Sequence, residues 1–187
     1  MNQVQITIAG IPSATKWTLR PYNPPQGVEG APDYLVSTFA MRVSGIAASF
    51  NVLRFGIKRT PVFDAPAPPQ STRCDVGIVH QHVYHPPWIM YIVHSGPGSI
   101  PGAWQLQGKF LLHEGSPDPD VGWGTYGCME VVGRGEWARL LEGIKQIAGT
   151  RNLTAIGKAK ALTVHVEAAH LPVATLKPSF SSRASGY

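Results

Sequence analysis

His113 and Cys128, fifteen positions apart, are the pair of side chains in this sequence whose types and spacing suit covalent chemistry. A thiol ordinarily titrates near pH ~8.5, and the thiolate is the form that attacks a carbonyl carbon. A neighbouring imidazole takes the thiol proton and later returns it to a leaving amine. Gly127 comes just before Cys128, so the backbone N–H groups of Gly127 and Cys128 suit a developing oxyanion. The bland alternative is a small buried cysteine in a core strand, with the histidine on a surface loop.

Elements must bring the two together. Trp104, Leu106, Phe110 and Leu112 share one strand face, interrupted at Gly108. Gln105, Gln107, Lys109, Leu111 and His113 share the other, so His113 is expected to emerge at a strand end, away from the main core. Residues 116–124 hold the Pro, Asp and Gly that punctuate a surface loop. A short run follows, through Cys128 and Met129 to Val131 and Val132. Beyond it Trp137, Leu140, Leu141, Ile144, Ile147 and Ala148 fall at three-four spacing and predict a helix. Glu136 near its start, Lys145 near its end and Gly149 as C-cap agree with that direction. This helix is expected to pack on the sheet and brace the strand that carries Cys128.

His113, a loop, then Thr125-Tyr126-Gly127-Cys128 and the apolar Met129 resemble the active-site signature of the L,D-transpeptidases. The sequence departs from that family at Tyr126, where His is usual, and at Glu130, where Arg is usual. The resemblance spans roughly residues 86–150. It implies a mainly β fold with one to two helices, an L,D-transpeptidase-like β-sandwich or β-barrel with a helix after the cysteine. It implies Cys128 as nucleophile, His113 as base and then acid, and the main-chain carbonyl of Glu114 as the group that orients the imidazole. Peptidoglycan stem peptides are the implied substrate. Thr125, Tyr126 and Trp123 become candidates to line a groove for an extended substrate, with loop or core packing as the alternative for Trp123 and Tyr126. Arg134 is a candidate for the substrate carboxylate by its nearness to the motif. No cofactor and no metal is expected.

The rest of the chain agrees with a β-rich domain. Hydrophobic content of 43% excludes disorder throughout, and 20 Gly with 17 Pro favour strands and turns over a helical bundle. Val4, Ile6 and Ile8 alternate as in a half-buried strand. Residues 20–33 read as a loop. Residues 34–58 are strand-like, with a turn or bulge at Gly45. Residues 61–72 read as a Pro-rich connector. Residues 88–93 form an apolar run, 95–102 a turn, and 162–166 a final strand. Residues 1–176 are thus expected to form one catalytic domain, followed by a flexible tail at 177–187.

His80, His82 and His85, with His94 nearby, invite a metal reading, since zinc needs converging ligands. Cys74 and Asp75 are the nearest further donors, and they stand apart, so a polar strand face is the preferred reading. Two cysteines make no disulfide framework. A net charge of +5 suits an anionic surface such as cell wall, yet no dense basic tract or aromatic motif argues for nucleic acid. No run is long enough for a membrane span, and the first residues show no secretory signal. A wall enzyme would then be made in the cytoplasm and exported by a signal-independent route to a target periplasm. That suggests an antibacterial effector, with a secretion-apparatus component and a cognate immunity protein as partners. Two other readings compete. One is a non-enzymatic β-rich binding or structural module of a phage or secretion apparatus. The other is a sortase-like His-Cys enzyme, disfavoured by the short spacing.

Overall fold

Alternation decides the first strand. Val4, Ile6 and Ile8 are fully buried, and β1 (Val4–Leu19) begins there. It pairs antiparallel with β2 (Tyr34–Val43). The register shifts on both sides of Pro12, which stands opposite Phe39. Each irregularity gives β1 four residues against two of β2, which accommodates the proline and leaves the side-chain alternation in step. Ile6 and Ile8 lie in one core with Met41 and Val43, whereas Trp17 and Leu19 lie in a second with Tyr34 and Val36. Residues 1–20, 33–63, 72–78, 88–89, 91–92, 102–106, 110–120, 122, 124, 128–170 and 172–177 are described by this computed structural model.

Gly45, at φ +85, turns the chain toward β3 (Phe50–Leu53), as its position suggested. The strand then breaks at 54–56. There Arg54 is buried. Its guanidinium donates to the carbonyls of Ala9 (2.8 Å) and Glu167 (3.0 Å) and lies 5.0 Å from the Phe39 ring centre. Partnered in this way, a cation tolerates burial. β4 (Ile57–Phe63) and β5 (Thr72–Ile78) pair antiparallel as a separate two-stranded sheet. The Pro-rich connector is therefore shorter than expected, because 61–63 and Thr72 are strand and Pro61 starts no break. Its middle, 64–71, lies outside the described residues.

β6 (Trp88–Ile89), β7 (Tyr91–Ile92), β8 (Trp104–Gln105), β9 (Leu111–Glu114) and β10 (Met129–Val132) follow. The single strand expected over 104–113 is instead an antiparallel hairpin, with Trp104 opposite Leu112 and the Leu106 N–H bonded to the Phe110 carbonyl (2.7 Å). Both arms keep the same buried parity, so alternation alone could not separate them. Next come α1 (Glu136–Ala148), α2 (Leu153–Lys158), β11 (Leu162–Val166) and β12 (Thr175–Leu176). α1 ends as expected at Gly149, in the left-handed region at φ 72. The side chain of Asn152 caps α2 by accepting the Ala155 N–H.

Among the described residues one mixed sheet runs β6-β11-β1-β2-β3-β10-β9-β8-β7, with β12 paired to β2. β6 and β7 stand at opposite ends of that order, yet one residue separates them. The sheet therefore curls, and the chain passes from one end of its strand order to the other between Ile89 and Tyr91. Among the described residues the fold is mainly β with two helices, both of them after Cys128. α1 buries Trp137, Leu140 and Ile144 in the core that holds Leu112, Met129 and Val131. Each large side chain so removed from water contributes about 1.5–3 kcal/mol. No helix among the described residues is long and apolar enough to cross a membrane. Lys177 is tied down by its N–H to the Asp33 carbonyl (2.8 Å), and 178–187 lie outside the described residues.

Candidate active site

β9 and β10 are parallel neighbours, with Leu112 opposite Met129, His113 opposite Glu130 and Glu114 opposite Val131. Parallel neighbours need a crossover of roughly a dozen residues or more, and 115–128 supplies it. The crossover is pinned where it is described. Ser116 Oγ and the Asp118 carboxylate accept the N–H groups of Asp118 and Asp120. The Thr18 N–H donates to the Pro119 carbonyl (2.7 Å), and the Arg20 N–H to the Gly122 carbonyl (2.8 Å). Gly124, at φ +67, passes so close to β3–β4 that a Cβ would stand 2.6 Å from the Phe55 carbonyl oxygen. These ties return the chain to the start of β10, which is where Cys128 stands.

Strand alternation divides the two strands into two faces. Leu112, Met129 and Val131 face the core under α1. His113 and Glu130 share the other face, where Val132 joins the second core with Leu53 and Leu19. Extended one residue ahead of β10, the two-residue repeat would put Cys128 on this side as well. His113 thus emerges opposite the main core, as expected, although it is 7% exposed rather than open to solvent. Cys128 carries a half-buried thiol.

The imidazole is oriented by its own strand. His113 Nδ1 lies 2.7 Å from the Glu114 main-chain oxygen. A carbonyl only accepts, so Nδ1 carries the hydrogen and donates it, and in the neutral ring Nε2 keeps its lone pair. Burial holds the His113 pKa below the ordinary value, partly offset by the Glu114 hydrogen bond. The ring is therefore neutral at pH 7, with Nε2 able to accept a thiol proton.

Glu130 was not singled out as a site residue by sequence reasoning, although Cys128-Met-Glu130 at strand spacing was the signal. Burial raises its carboxyl to about 7. Gly115 makes room for it: a Cβ there would stand 2.8 Å from Glu130 Cβ and 3.3 Å from its Oε2.

Trp123, Thr125, Tyr126 and Gly127 lie outside the described residues, as do His80, His82, His85 and His94. Arg134 is exposed in the turn after β10, flanked by Gly133 and Gly135 at positive φ. The whole of β10 separates it from Cys128, roughly 13 Å of strand, so the two are not brought together. Among the described residues no group of three His, Cys, Asp or Glu could hold a metal ion. A cavity of about 490 Å³ lies at the C-terminal end of α1, between Lys145, Thr150 and Arg151, and no residue of the His–Cys face lines it. No family model, curated protein or solved structure matches the chain. The likeness to L,D-transpeptidases rests on the motif residues themselves.

Proposed function

We propose that the chain is a cysteine-dependent acyltransferase or peptidase acting on peptidoglycan stem peptides, similar to L,D-transpeptidases. The observation that carries this reading is the bond from His113 Nδ1 to the Glu114 carbonyl, made on the strand next to the one that Cys128 enters. It leaves Nε2 as the base that a thiol nucleophile needs. In the reaction the Cys128 proton passes to His113 Nε2, and the sulfur attacks the carbonyl of an L,D peptide bond. The tetrahedral oxyanion is held by the N–H groups of Gly127 and Cys128. His113 returns the proton to the leaving nitrogen, D-Ala departs, and a thioester remains. Water yields a carboxypeptidase outcome; an amine of another stem or a free D-amino acid yields transfer. His113 takes the proton of the incoming group in either case. As an effector in a rival periplasm such an activity would damage the wall, and an immunity protein would be its partner.

The test is mass spectrometry of stem peptides incubated with the protein and with Cys128→Ala. Loss of D-Ala, its exchange or a new cross-link, seen with the parent protein and missing with the variant, is the expected result. Unchanged peptides from several wall types would overturn the proposal and leave a non-enzymatic module. Expression directed to a bacterial periplasm should likewise slow growth through Cys128, and harmless expression would remove the effector role.

A further inference from the structure

The proposed chemistry uses His113 and Cys128 and leaves Glu130 on the same face without a role. The register sets Glu130 directly across from His113. Its carboxyl lies over Gly115, the next residue on His113's side of β9, and the missing side chain there is what admits it. We infer that Glu130 is a positioning residue that stabilises the His113 imidazolium and so sets the pH at which Cys128 becomes a thiolate. This rests on the reading of Cys128 as a nucleophile.

Distance decides the sign. Residues facing each other on neighbouring strands are ~4.8 Å apart, whereas residues two apart on one strand are ~6.6 Å apart. A carboxylate at 130 is therefore nearer to position 113 than to 128, and its attraction for an imidazolium exceeds its repulsion of a thiolate. The groups around it leave that balance intact. From β3, its register partner is Leu53, and Asn51 stands opposite Val132. Arg54 is turned onto the carbonyls of Ala9 and Glu167. Arg134 is exposed beyond the end of β10, and on α1 Arg139 pairs with Glu136. Among the described residues, the titratable groups on Glu130's face of β9 and β10 are His113 and Cys128. Its charge appears near neutrality, since burial raises the carboxyl to about 7. In the step itself the thiol proton moves to Nε2, the sulfur keeps the electron pair, and Glu130 has already given its own proton to solvent.

The test is alkylation of Cys128 by iodoacetamide across the neutral range, in a Cys74→Ala background so that one thiol is read. Glu130→Gln should slow alkylation at neutral pH about tenfold, the effect of roughly one pKa unit from an adjacent opposite charge. Glu130→Asp should recover part of the rate. In a His113→Ala background the Glu130→Gln change should cause no slowing, because the carboxylate's favourable action runs through the imidazole and only its weaker repulsion of the thiolate is left to remove. An unchanged profile in Glu130→Gln would overturn the inference, as would equal slowing with and without His113. Should Glu130→Gln fail to fold, Glu130→Asp carries the same comparison, and it must slow alkylation only when His113 is present. None of these readings uses a wall peptide. Failure of stem-peptide turnover would therefore sink the proposed function while leaving the coupling measured.

Discussion

β9 and β10 show two faces made from the same few residues. On one, Leu112, Met129 and Val131 are completely buried in the core that α1 seals with Trp137, Leu140 and Ile144. On the other, His113 and Glu130 stand across from each other, with Cys128 one repeat before Glu130. The first face contributes stability. The second pushes both titratable groups toward their neutral forms, since burial lowers His113 and raises Glu130. One residue of parity separates packing from chemistry, so a single-residue slip of β10 would exchange the faces and lose both.

The comparison can be broken hardest from the packed side. Met129→Ala removes a fully buried side chain from between two reactive-face positions. It should cost about 2–5 kcal/mol by urea denaturation. A loss below 1 kcal/mol would mean that the sealed face does not hold β10 in place.

Glu130→Gln probes the other face with the opposite sign. Its folded-state value, about 7, lies above the ordinary 4.5, so the folded protein holds that proton more tightly than the unfolded chain. The associated stability is complete below pH 4.5 and is lost as pH rises through 7. Glu130→Gln should therefore be more stable than the parent above pH 7, by about 1–3 kcal/mol after allowance for partial exposure, and indistinguishable from it below pH 4.5. His113, held below its ordinary 6.5, works the other way: its stability is lost as pH falls. Melting curves at several pH values would show the difference, and a constant offset would refute it.

The smallest effect belongs to the crossover's surface. Asp120 pairs with Lys177 at 2.5 Å, and this contact holds its carboxyl below the ordinary range. Both ends are solvated, so Asp120→Asn should leave the melting temperature within error and alkylation of Cys128 unchanged. A clear drop in either would mean that the crossover's seat on β1 depends on this pair.

What the sequence made legible follows its periodicities. The α1 stripe was readable because thirteen residues repeat at helical spacing with a glycine stop. The Ile6–Ile8 alternation was readable too, but the rest of β1 was not, because the strand runs from one core into a second and buries its opposite face at Trp17 and Leu19. The hairpin over 104–112 stayed hidden since Trp104 and Leu112 share a face whether or not the chain turns between them. The orientation of His113 by the Glu114 carbonyl was expected from the resemblance, and that hydrogen bond is present. Parallel pairing of β9 with β10 leaves no mark in composition. Glu130 was passed over as a site residue because one carboxylate in an apolar run reads as a departure from a motif until its neighbour across the sheet is known.

Residues 88–92 have a consequence for the protein's survival. One end of this short stretch pairs with β11 and the other with β8. It works like the slider of a zip. Were it to detach, through a protease nick or a thermal excursion, β11 and β8 would each expose a row of unpaired N–H and C=O groups at the same moment. Two complementary strand margins on one molecule are a template for joining the next. Aggregation on heating should thus begin with this stretch, before the sealed core gives way.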